Sequence, residues 1–121
     1  MPAIAEPNSS QFTLGDAHVF ASAHPLLSPD VRDNVQILLA RLKEHACRSG
    51  IPLHRTEVVG HFSPEEPIKR LVIRQVVGLS AAEALDYWDT LEQPLTEWLG
   101  SLGPKVKALA TELISLEVAW V

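Results

Sequence analysis

The run KRLVIRQVV, residues 69–77, alternates two kinds of side chain, and only an extended strand sorts such alternation onto two faces. A second β-rich run, HRTEVVGHF (54–62), precedes it, and the SPEEP between them carries prolines and charges that cannot continue a ladder. The two runs are therefore expected to form a hairpin. Charge sets its register. Pairing Phe62 with Lys69 places Glu57 opposite Arg74 and Val59 opposite Val72, whereas a slip of one residue places Glu57 opposite Ile73. In the first register one face carries Thr56, Val58, Gly60, Phe62, Leu71, Ile73, Gln75 and Val77 and is the expected core. The other carries Arg55, Glu57, Val59, His61, Arg70, Val72, Arg74 and Val76.

Helices are expected on either side of this ribbon. Ser28-Pro29 supplies a cap and a proline suited to a first turn, and Val31, Val35, Leu38, Leu39, Leu42 and Ala46 follow at helical spacing until Gly50 and Pro52. Downstream, Ser80-Ala81-Ala82-Glu83 has the spacing of a capping box and opens a helix with the stripe Ala84, Trp88, Leu91, Leu95 and Trp98. Pro94 predicts a kink or restart in it. Val106, Leu109, Ala110 and Leu113 fit a short third helix, and ISLEVAWV alternates as a final strand. A further short strand is expected at His18–Ala23, with residues 1–11 a frayed terminus before a single domain over 12–121.

The order strand, helix, strand, strand, helix with a short extra helix, strand predicts an α+β two-layer sandwich of the ferredoxin-like, split βαβ type. At 121 residues, 46% of them apolar, the chain can bury one core. A net charge of -5 argues against nonspecific binding to nucleic acid or membrane, and no apolar run is long enough to span a bilayer. The lone Cys47 makes no internal disulfide, and the start MPAIAEPNSS lacks a secretory pattern, so a cytoplasmic location is expected.

In a two-layer sandwich the sheet face away from the helices is left open. Arg55, Val59, His61, Arg70, Val72, Arg74 and Val76 are expected there, a mixture resembling an interface. The plainer reading is that arginine stems shield the valines while Glu57 pairs with Arg74. The function expected is a non-enzymatic interaction or regulatory module, a homodimer or subunit of a small complex joined through this face. The alternative is an anionic-ligand-binding protein or cofactor-independent enzyme, with Arg70 and Arg74 gripping the anion and His61 as acid and base.

No catalytic residue is assigned, and neither cofactor nor metal is expected. His45 and Cys47 point about 160° apart on a helix, and His54 and His61 face opposite sides of a strand. The histidines His18 and His24 read as loop or surface residues, and Glu65 and Glu66 as a solvated turn. Phosphate-cradling, dinucleotide and nucleophile-elbow motifs are missing. Without aromatics on the run KRLVIRQV, base stacking on the open sheet has no platform. Residues 79–103 carry five acids and no Lys or Arg, which reads as an acidic solvated helix face.

Overall fold

The computed structural model describes residues 12–62, 65 and 69–121. The expected frayed terminus at 1–11 and most of the turn 63–68 lie outside them. The chain is mixed α+β. It forms strands β1 (Phe12–Leu14) and β2 (Ala17–Val19), helix α1 (Pro29–Arg48), strands β3 (Leu53–Phe62) and β4 (Lys69–Val77), helices α2 (Ala81–Thr90), α3 (Glu92–Gly100) and α4 (Pro104–Leu113), and strand β5 (Ile114–Trp120).

The local signals explain most of these boundaries. Pro29 opens α1 behind Ser28, and Gly50 at φ +69 closes it, with the Ile51 amide returning to the Ala46 carbonyl. Ser80 and Glu83 form the reciprocal capping box of α2. The helix expected to kink at Pro94 is broken into α2 and α3 at Leu91. Between β2 and α1 the structure differs from the expected strand His18–Ala23: β2 is only three residues long, and Ala21–Leu26 forms a 3-10 helix lying across β3. Gly60 makes that crossing possible, because a Cβ there would stand 2.1 Å from the Ser22 carbonyl oxygen.

The five strands lie in the order β1-β2-β3-β4-β5. The β3–β4 hairpin has the register that charge favours, with Glu57 opposite Arg74, Val59 opposite Val72 and Phe62 opposite Lys69. The ferredoxin-like order does not appear. In a split βαβ unit another strand separates the two that a helix connects. Here β2 and β3 are direct parallel neighbours, as are β4 and β5.

The helices share one face of the sheet. Buried side chains of α1, α2, α3 and α4 join Val58, Leu71, Ile73, Val77 and Val118 in a single cluster. The units β2–β3 and β4–β5 run antiparallel yet both step the same way across the sheet, so with all helices on one face their crossovers have opposite hands. One of them is left-handed, against a right-handed preference of about 98% for such connections. Adjacent pairing of the helix-linked strands, in place of the split arrangement, is what forces this.

Candidate interaction face

The second face of the sheet is uncovered among the described residues. Val76 is buried there, outside the core cluster, and Val59 and Val72 are half-buried on either side of the β3–β4 ladder. From β5 the face receives Ser115, Glu117 and Ala119, opposite Val72, Arg74 and Val76. From β2 it receives His18, opposite Glu57.

Four charges close on one another across three strands at its centre. The Arg55 Nε donates to Glu57 Oε2 at 2.8 Å, and Arg74 Nη1 donates to Glu57 Oε1 at 3.1 Å. The Nε of Arg74 donates in turn to Glu117 Oε1. Two guanidiniums meet two carboxylates, so the group is neutral. Glu57 is buried, 8% exposed. Burial pushes its carboxyl up, but the hydrogen bonds and charges of Arg55 and Arg74 outweigh that and hold it below the ordinary glutamate value. The bond to Glu117 and then that to Glu57 raise Arg74 in the same way, against burial.

No family model, curated protein or solved structure matches the chain. What the face can do therefore rests on its own chemistry.

All seven residues singled out from the sequence, Arg55, Val59, His61, Arg70, Val72, Arg74 and Val76, lie on this face. They do not form one site. Arg55 and Arg74 belong to the neutral network, while His61 and Arg70 stand opposite each other, exposed, toward the 63–68 end of the hairpin. Among the described residues Arg70 makes no ion pair. Sequence reasoning missed Glu117 and His18. Alternation places Glu117 on one side of a strand, but nothing local says that this strand lies parallel to β4 and in register with Arg74.

A groove also went unanticipated. A cavity of about 520 Å³ runs between α1 and the start of α3, lined by Arg41, Glu44, His45, Arg48, Gln93 and Glu97 with Pro94. The spacing of Arg41, His45 and Arg48 along one helix face was its only sequence signal. Its charges are of both signs and solvated; Arg48 already donates to Glu44 at 3.3 Å. His45 is turned inward instead, stacked on Tyr87 at 5.8 Å between ring centres and 2.9 Å from the Thr90 hydroxyl. That hydroxyl donates to the Tyr87 carbonyl, so the imidazole Nε2 is the donor to it. Among the described residues no three His, Cys, Asp or Glu side chains converge to hold a metal, and no helix is long and apolar enough to cross a membrane.

Proposed function

We infer that this chain is an interaction module that associates with a second copy of itself through the open sheet face. The observation that carries this is the neutral Arg55–Glu57–Arg74–Glu117 network set among Val59, Val72, Val76 and Ala119. Covering an unpaired charge costs several kcal/mol, on the order of what an interface gains, whereas a charge already hydrogen-bonded to its partner loses far less on desolvation. The central charges of the face satisfy one another and the side chains between them are aliphatic, which suits a partner of the same composition there, while Arg70 and His61 stand exposed at the hairpin end. A two-fold axis supplies such a partner, since it brings the same patch of a second copy against the first.

An anion-binding role for the same face is less well supported. Arg74 directs its Nε and one Nη to carboxylates, and an incoming anion would have to displace Glu57 or Glu117. None of four cavities among the described residues is lined by Arg70, Arg74 or His61.

Sedimentation velocity at tens to hundreds of micromolar tests the reading. The wild-type chain is expected at a multiple of its 13.3 kDa mass. Val59→Glu and Val72→Glu, which put an unpaired carboxylate on the face without touching the core, are expected to reduce that mass while the melting temperature shifts by only a few degrees. A wild-type monomer across this range overturns the reading.

A further inference from the structure

We propose that β5 is a second contact between copies, joining two sheets edge to edge into one continuous sheet through antiparallel β5–β5 pairing. This goes beyond the face contact and does not depend on it. The two edges of the sheet are unequal. At one, β1 has three residues; at the other, β5 has seven and, among the described residues, pairs only with β4. Exposed edges are normally blunted by shortness, by charged side chains and lysine above all, by proline or by a bulge. The sequence ISLEVAW contains no Lys, Arg, Pro or Gly, its one charge, Glu117, is held by Arg74 of β4, and the β4–β5 ladder runs from Leu71↔Ile114 to Val77↔Trp120 without a register shift.

Self-complementarity identifies the occupant and the register. A two-fold axis perpendicular to the sheet keeps each face with its like, so it must pass through a residue position rather than between two. Centred on Glu117, it sets two carboxylates directly opposite, which is unfavourable. Centred on Leu116, it drives Trp120 past Ile114 of the second copy and into the end of that copy's α4, which runs straight into β5. Centred on Val118, it sets Leu116 opposite Trp120 and Glu117 opposite Ala119, with no like charges facing and both strands clear of α4, and it pairs five residues of β5 where a centre on Ala119 would pair three. The Val118 register also covers Trp120, which is 41% exposed at the end of a strand whose Val118 is 2% exposed. An aromatic–aliphatic pair across strands is a favourable one.

Cysteine cross-linking tests the edge directly, in a Cys47→Ser background because Cys47 is free and exposed. Paired Val118 positions would lie about 4.5–5.5 Å apart between Cα atoms, within disulfide reach. Two Glu117 positions, one pair out of step, would be about 8 Å apart, and two Leu116 positions further still. Val118→Cys is therefore expected to give a disulfide-linked dimer under mild oxidation, and Glu117→Cys and Leu116→Cys to give none. A folded Val118→Cys chain that stays unlinked, or linkage at 116 or 117 instead, overturns the proposal. Trp120→Lys, at an exposed position that does not endanger folding, is expected to lower the mass in sedimentation; an unchanged mass also overturns it. Adding Val59→Glu to Val118→Cys separates the two contacts. The cross-link is expected to survive, and its loss would defeat an independent edge.

Discussion

The residue that departs most from its expected role is Tyr87, the only tyrosine of the chain. Helical spacing puts Trp88 on the core stripe, yet Tyr87 is the one buried, at 4% exposure, with Trp88 half-buried beside it. The reason lies on the sheet. Gln75, itself 1% exposed, projects from the core face of β4 and needs a partner, which the Tyr87 hydroxyl provides by donating to its Oε1 at 2.6 Å. Burial pushes the phenol up to about 12, only partly offset by the bond to Gln75. A raised folded value means that the neutral form is favoured by folding. The resulting stabilisation is complete below the unfolded value near 10 and disappears as pH rises toward 12. Absorbance at 295 nm, uncomplicated by other tyrosines, is expected to show a minority of Tyr87 ionised at pH 11 in the native chain and a large majority in denaturant. Equal titration in both states would show the hydroxyl to be solvated.

At the scale of elements, the 3-10 helix Ala21–Leu26 crosses β3 more closely at Gly60 than any neighbour approaches another glycine of the described structure. Besides the approach of the Ser22 carbonyl, the Gly60 amide donates to Ser22 Oγ at 2.9 Å, and the Phe20 amide donates to the Val58 carbonyl at 3.0 Å. All three atoms nearest the missing Cβ are backbone, so they cannot rotate aside. Gly60→Ala is therefore expected to cost about 1–3 kcal/mol or more, the range for overpacking. Gly100→Ala, at a helical φ with open space around it, is expected to be neutral or to stabilise by about 0.4–1 kcal/mol. Urea midpoints of the two variants against wild type decide the comparison. This junction also marks where the sequence stops being readable. Capping at Ser80, the break near Pro94 and the alternation of β3, β4 and β5 are local signals, and each element they define is present. A 3-10 helix held in place by a glycine 38 residues away is a tertiary fact, and FASAHPLL shows no period that would reveal it.

For the molecule as a whole, strand content was legible and strand order was not. Each face of β4 can be derived from Val72, Arg74 and Val76, but which strand lies beyond β4 depends on the path of α2, α3 and α4, and a prior for right-handed crossovers points to the split arrangement that the chain does not adopt. The network on the open face is a product of that order, because only with β5 beside β4 can Glu117 reach Arg74. It should therefore report on the assembled sheet rather than on the hairpin alone. Glu57, at its centre, has a folded value held below the ordinary 4.5 of a glutamate. The group thus contributes stability that is present above the unfolded value and is lost as pH falls through the folded one. Wild-type urea midpoints are expected to fall from pH 6 to pH 3.5, and Glu57→Gln to show a smaller fall because it has no proton to take up. At pH 6 the same substitution should cost about 1–3 kcal/mol, since Arg55 and Arg74 lose a shared charged acceptor at a buried position. Glu112→Gln, on the exposed side of α4, is expected to follow wild type across the whole range. A variant at Glu57 with an unchanged acid slope would mean that the three-strand network does not stabilise the sheet. The face would then be an ordinary solvated surface with valines between its arginines, and the case for its pairing with a second copy would lose its foundation.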